Sequence, residues 1–69
     1  MSVYRVTEVI GVSEQSWEDA ARDAVQTAAA TVRDLRVAEV IRKDVTIENG
    51  RVKNFRVRLA LSFKYETGD

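Results

Sequence analysis

Basic side chains are concentrated in one segment near the end of the chain. Residues 51–64 hold five Lys or Arg residues and no Asp or Glu. The five are Arg51, Lys53, Arg56, Arg58 and Lys64. Cationic groups on one strand face can hold a phosphate or carboxylate through charge-assisted hydrogen bonds. The competing interpretation, which we favour, is a solvated face neutralised by acids of a neighbouring strand or subunit.

Acidic side chains suggest a second chemistry, the binding of a hard cation. Calcium takes six to eight oxygen ligands from carboxylates, carbonyls and water. The candidate carboxylates are Glu8, Glu18, Asp19, Asp34, Glu39 and Asp44. Their spacing matches no metal motif, and each of them alone is explained as a solvated acid. So short a chain hardly fills a calcium shell, but symmetric subunits could share one.

Composition removes most catalytic chemistries. The 69 residues include no Cys and no His, which excludes thiol nucleophiles, imidazole acid–base catalysis and zinc fingers. No glycine-rich phosphate loop or EF-hand loop is present. We therefore predict that the protein is not an enzyme. The single Trp, Trp17, is better explained by packing at a helix start than by ligand stacking.

The charge balance and the hydropathy pattern limit the classes of partner that the protein can bind. Eleven Lys+Arg balance eleven Asp+Glu, whereas nucleic-acid binders depend on excess positive charge. An RNA-binding sheet would also carry aromatic side chains on its basic face. In residues 54–65 aromatic and basic side chains alternate, so they lie on opposite faces of the strand. No apolar run approaches the ~20 residues of a membrane span, and the first residues do not resemble a signal peptide. We expect a cytoplasmic protein without nucleic-acid or membrane partners.

The elements that position these residues follow a β-α-β-β order in a single domain, residues 1–69. Residues 3–10 alternate as a strand that ends at Gly11, with Tyr4, Val6 and Ile10 on one face. Residues 16–34 show helical spacing of Ala and Val behind a capping box that starts at Ser16. The many alanines indicate close packing of this helix against another backbone.

Two further strands form a hairpin. Residues 36–48 precede an Asn49-Gly50 turn, which is a strong hairpin signal, and residues 54–65 follow it as the last strand. The last strand alternates strictly, while adjacent Val40 and Ile41 in the preceding strand predict a bulge. The expected fold class is α+β, with a three-stranded antiparallel sheet wrapped around one long helix.

Size predicts self-association. A domain of ~60 residues buries only ~60% of its unfolded surface and is marginal alone. Without disulfides or a structural metal, oligomerisation is the remaining common source of stability. A homo-oligomer would also cover the second face of the sheet. A simple β-α-β-β dimer remains the alternative to a larger assembly.

The chain as a whole resembles the dodecin family through the order and spacing of short segments. They are Tyr4-Arg5-Val6, Ile10-Gly11-Val12-Ser13, Ala20-Ala21, Asp23-Ala24, Thr31-Val32-Arg33-Asp34-Leu35, Ala38-Glu39-Val40, Phe55-Arg56-Val57 and Ser62-Phe63. The resemblance implies a subunit that assembles into a hollow homododecamer and stores a flavin without turnover. In that family a Trp stacks on the flavin ring and a Gln bonds its edge. The matching positions here are Val37 and Arg56.

The resemblance is strongest to the calcium dodecins, the actinobacterial branch that lacks the flavin-stacking Trp. Asp44 and the segments Ser16-Trp17-Glu18 and Arg36-Val37-Ala38 carry it. That branch implies calcium in place of flavin, with Asp44 as the first ligand candidate and Glu18 and Asp34 as weaker ones. The alternatives are a flavin (FMN or riboflavin) pocket lined by Val37, Arg56 and Arg58, and a purely structural cage.

Overall fold

The computed structural model describes residues 2–65, which form three strands and one helix. In chain order they are β1 (Tyr4–Ser13), α1 (Trp17–Ala29), β2 (Leu35–Glu48) and β3 (Arg51–Lys64). All pairings are antiparallel, and the strand order is β1-β3-β2. β3, which carries the basic residues, is therefore the central strand. This architecture confirms the predicted fold class.

The core lies between α1 and one face of the sheet. Alternate residues of β3 supply its centre, with Val57 and Leu59 only 1% exposed and Leu61 3% exposed. Ala20 of α1 is fully buried against them. Gly11 of β1 lies beneath Ala20 so closely that an added Cβ would be 2.1 Å from the Ala20 carbonyl oxygen. This confirms the close backbone packing that the alanine-rich helix predicts.

The local signals at the helix start and the hairpin are confirmed. Ser16 caps α1, since its Oγ accepts from the Asp19 backbone N–H at 3.0 Å. Asn49 and Gly50 have φ angles of 52° and 73°, as a two-residue type I′ turn requires. The register of β2 against β3 shifts between Val40 and Arg42, where the bulge is predicted.

Two boundaries differ from the sequence prediction. α1 ends at Ala29 rather than near Asp34, because the Thr31 hydroxyl bonds the Ala28 carbonyl and Asp34 turns the chain at φ 60°. Leu35 then packs on the core from the start of β2. β1 continues through Gly11 to Ser13. Gly11 does not end the strand; its missing side chain lets the backbone of α1 pack closely against β1.

The predicted apolar face of β1 lies on the opposite side of the sheet from the helix. Val9 pairs with Leu59, and Gly11 pairs with Val57, so these two positions share the core face. Tyr4, Val6 and Ile10 therefore point away from the core and stay about half exposed. Alternation identified the strand, but it did not identify which face the helix covers.

Candidate functional site

The face of the sheet away from α1, here called the open face, carries the candidate binding residues. Strand neighbours two residues apart point to the same side, so Arg56 and Arg58 lie there together. The register places Asp44 opposite Arg56 and Arg42 opposite Arg58. From β1, Ile10 is the partner of Arg58. Three strands thus bring these five side chains to one patch.

A two-point ion pair joins Asp44 and Arg56 across β2 and β3. Arg56 Nε donates to Asp44 Oδ1 at 2.7 Å, and Arg56 Nη2 donates to Asp44 Oδ2 at 3.0 Å. The bond from Arg56 holds the pKa of the Asp44 carboxyl below its usual value, against a smaller opposing effect of desolvation. Arg42 and Arg58 add to the lowering of that pKa. Both oxygens of the carboxylate therefore already have a cationic donor.

A cavity of about 160 Å³ opens beside this pair. Its walls are Ile10, Arg42, Asp44, Arg56 and Arg58. Among the residues that the structure describes, Arg58 forms one ion pair, with Glu8, whose Oε1 lies 3.9 Å from its Nε and is beyond hydrogen-bond range. Within residues 2–65, Arg42 takes part in no ion pair. The cavity therefore has an excess of positive charge.

Trp17 fixes the strand segment behind the ion pair. Its indole Nε1–H donates to the Asp44 backbone carbonyl at 3.0 Å, and its ring meets Phe55 edge-on with centroids 5.1 Å apart. Lys43 Nζ lies 5.7 Å from the centre of the same ring. Trp17 thus packs between helix and sheet as predicted, and it ties the start of α1 to the backbone at Asp44.

The structure separates the other predicted site residues. Val37 lies on the open face opposite Ser62, four residues along β3 from Arg58, about 13 Å at ~3.3 Å per residue. Glu18 lies in the first turn of α1. Asp34 precedes β2, where its Oδ1 is 3.6 Å from Arg36 Nη2. In the part of the chain that the structure describes, no three acidic side chains gather as a metal site.

Two residues of the patch, Arg42 and Ile10, are not among the ligand-binding residues predicted from the sequence. Strict alternation from Val40 would place Arg42 on the same side as Val40, which pairs with the core residue Leu59. The bulge reverses this parity and moves Arg42 to the open face. The adjacent apolar pair that predicts the bulge was the available signal, but its effect on Arg42 depends on which residue is inserted.

A larger cavity of about 520 Å³ lies between α1 and the β1 side of the sheet. Its lining is mainly apolar, with Val9, Ala28 and Phe63 among the residues and Asp23 as the one charged group. None of the predicted ligand-binding residues lines it. It is a gap in the packing of the helix against the sheet, and its chemistry differs from that of the open-face cavity.

Fold and site together define a small β-α-β-β domain with a cationic patch on the uncovered face of its sheet. A model of the Dodecin family matches residues 3–66. The chain belongs to the dodecin family.

Relatives agree with this assignment. Calcium dodecin of Mycobacterium tuberculosis is 47% identical over 64 residues, which are 93% of this chain and 90% of that protein. A dodecin structure from Streptomyces coelicolor superposes with a TM-score of 0.91 at 40% identity, covering 97% and 96% of the two chains. The solved calcium dodecin of M. tuberculosis, described as calcium chelating with a novel calcium-binding site, gives 0.83 at 43% identity, covering 99% and 97%.

Proposed function

We propose that this protein is a non-catalytic binding and storage protein that assembles into a hollow homododecamer and holds a small ligand or ion. The observation that carries this proposal is the open face, where exposed apolar side chains surround a charged patch. The proposal places the protein in the cytoplasm, without nucleic-acid or membrane partners. No helix within residues 2–65 is long and apolar enough to cross a membrane.

The shape of the subunit supports assembly. Its accessible surface is 5364 Å², against about 4400 Å² expected for a folded monomer of this mass. Its radius of gyration is 14.2 Å, against about 11 Å expected for a compact chain of this length. Val6 and Val37 are 62% and 56% exposed on the open face. A second copy of this chain is the occupant we propose for this apolar part of the open face, which lies along β3 from the charged cavity.

Light scattering tests the assembly. A dodecamer has about 94 kDa and a dimer about 16 kDa, which are twelve and two times the subunit mass of 7.8 kDa. The expected result is the larger mass. A stable dimer would contradict both the hollow dodecamer and storage inside it.

Calcium is the first ion we propose as cargo. Support comes from the 47% identical relative named calcium dodecin and from Asp44, the acid closest to the open-face cavity. Because one chain does not gather three acids within its described residues, carboxylates from several subunits must supply the shell, with Glu18 and Asp34 as the further candidates. Each Asp44 oxygen accepts one bond from Arg56 and keeps a second lone pair, but the guanidinium charge opposes a cation there, so movement of Arg56 away from Asp44 would favour calcium.

Calorimetric titration of the chelator-stripped protein tests calcium. We expect binding heat with the wild type and a loss of affinity of at least about tenfold in Asp44→Asn, as for loss of a metal-site partner. Asp23→Asn is the matched control, because Asp23 is an exposed residue of α1, and α1 lies on the other side of the sheet from the open face. Absence of heat with the wild type would contradict calcium storage, and equal losses in both variants would contradict Asp44 as a ligand.

A flavin is the second candidate, favoured by the cationic patch and by family membership. Val37 lacks the stacking ring, and lost aromatic contacts are worth roughly 1–3 kcal/mol each. Loss of the ring from two symmetry-related copies would weaken flavin binding by about 1.5–4 decades. Equilibrium dialysis with riboflavin and FMN decides the matter. Micromolar FMN binding would support a pocket that works without Trp, and no binding of either would leave ion storage or a structural cage.

A further inference from the structure

The open-face cavity has the features of an anion site that is complete within one chain. Arg42 and Arg58 are direct cross-strand partners, and like charges opposite each other destabilise an antiparallel pair. Neither guanidinium has a hydrogen-bonded acid among the described residues. An anion seated between them would remove this repulsion and gain two charge-assisted contacts.

Arg56 does not compete for that anion, because Asp44 already holds it. The two-point pair at 2.7 and 3.0 Å fixes the Arg56 guanidinium in one orientation. The same pair neutralises the Asp44 carboxylate, which would otherwise repel an anion from the cavity. The pair therefore works as a neutral, preorganised wall, and the binding charge is left to Arg42 and Arg58.

The cavity size and lining select the ligand class. Its volume of about 160 Å³ is well above the ~10–15 Å³ that one water requires on the same measure, which leaves room for one tetrahedral oxyanion. Two guanidiniums match the two charges of a phosphate monoester, and arginine binds phosphate through paired N–H groups. Ile10 gives one apolar wall, which limits screening on that side.

We propose that Arg42 and Arg58 form a binding site for the phosphate dianion, either as inorganic phosphate or as the phosphate of a small monoester ligand. The site lies on one subunit and requires neither calcium nor the dodecamer. Its failure can therefore be distinguished from failure of the proposed function, since light scattering and calcium titration report on those separately.

Calorimetric titration of inorganic phosphate tests the site at constant ionic strength, because surface charges are screened over ~10 Å at 0.1 M salt. We expect Arg42→Gln and Arg58→Gln each to weaken phosphate binding by about tenfold. Arg51→Gln is the matched control: it removes an exposed arginine from the same strand outside the cavity, and should change affinity less than twofold. Equal weakening by all three variants, or no phosphate binding by the wild type, would overturn the site.

Thermal unfolding gives a second readout that does not depend on a measurable heat. Without phosphate, Arg42→Gln should raise the melting temperature, because it removes the cross-strand repulsion. At the same phosphate concentration, phosphate should raise the melting temperature of the wild type more than that of the variant, because the variant binds it about tenfold more weakly. If a neighbouring subunit's acid already neutralises Arg42, the variant will melt lower and phosphate will have no effect, which would refute the proposal.

Dialysis with FMN and riboflavin distinguishes the two sources of phosphate. A monoester ligand predicts that FMN binds more tightly than riboflavin and that Arg42→Gln removes most of this difference. Free phosphate as the ligand predicts that inorganic phosphate binds, while FMN and riboflavin bind equally and phosphate displaces neither of them. Arg42→Lys keeps the charge but loses the paired donors, so it should bind phosphate between wild type and Arg42→Gln. Binding of phosphate unaffected by either Arg42 variant would contradict the assignment.

Discussion

Gly11 is the position where β1 passes beneath α1, and replacement by Ala tests how tightly the two are packed. A Cβ at Gly11 would lie 2.1 Å from the Ala20 carbonyl oxygen and 3.0 Å from Ala24 Cβ. The nearer atom belongs to the helix backbone, so no side-chain rotation relieves the clash. To restore a 3.0 Å contact, helix and strand must separate by about 0.9 Å, the difference between 3.0 and 2.1 Å.

That separation acts on the centre of the core. Ala20 is fully buried with Val57 and Leu59, and a gap of 0.5–1 Å forfeits about a quarter to a half of each dispersion contact. We expect a loss of about 3 kcal/mol, the upper end of the range for overpacked cores. For a domain of this size each kcal/mol lowers the melting temperature by about 4–8 °C. The Gly11→Ala variant should therefore melt about 12–24 °C lower.

Circular dichroism at fixed protein concentration measures the shift, with light scattering to verify an unchanged assembly. Gly50→Ala is the control, because Gly50 has φ 73° but no atom within 4 Å of an added Cβ. Its backbone strain alone should cost about 1 kcal/mol. Ala24→Gly should not rescue Gly11→Ala, because the nearest clash is with the backbone of Ala20. Rescue by Ala24→Gly, or a loss no larger than that of the control, would refute the reasoning.

Three further predictions concern the open face and its support. The lowered pKa of Asp44 means that its ion pair stabilises the fold above the usual carboxyl pKa of 3.8, and that this contribution is lost as pH falls through the lowered folded value. The difference in melting temperature between wild type and Asp44→Asn should be constant from about pH 5 to 7 and should shrink below about pH 4. A difference that is independent of pH would contradict a stabilising ion pair. Trp17→Phe keeps a ring but loses the bond to the Asp44 carbonyl, so unfolding by urea should show a loss of about 1 kcal/mol; no loss would mean that water replaces the bond without cost. Val37→Trp supplies a stacking ring at an exposed position and should tighten riboflavin binding in dialysis by about 10–100-fold per ring; unchanged binding would show that this part of the open face is not a flavin site.

Much of the fold follows from local signals in the sequence. The Asn49-Gly50 pair predicts the hairpin, because both residues tolerate the positive φ angles that the turn requires. Ser16 predicts the start of α1 through its capping oxygen. The end of α1 is not local in this sense: helical spacing continues to Leu35, but Leu35 reaches the core from a strand after the turn at Asp34. Periodicity alone gives the same pattern for both arrangements.

The site is harder to predict, because it depends on register across three strands. Alternation places Arg56 and Arg58 on one face, which the structure confirms. It does not show that Asp44 lies opposite Arg56, or that the bulge after Val40 brings Arg42 opposite Arg58. The faces of β1 show the same limit. Tyr4, Val6 and Ile10 form the more apolar stripe, but the helix covers the other stripe, because only Gly11 admits the backbone of Ala20.

The two proposed ligands use the same ion pair in opposite ways. Phosphate binding needs Asp44 to stay neutralised by Arg56, whereas calcium binding at Asp44 is opposed by the charge of the Arg56 guanidinium, which bonds both carboxylate oxygens. If calcium takes Asp44, Arg56 is released beside Arg42 and Arg58, and the cavity gains a third free guanidinium. Calcium would then increase the affinity for phosphate, and phosphate would increase the affinity for calcium by the same factor, since coupling between two sites is reciprocal. Titrating FMN with and without calcium measures that factor. A factor of one would place the calcium site away from Asp44.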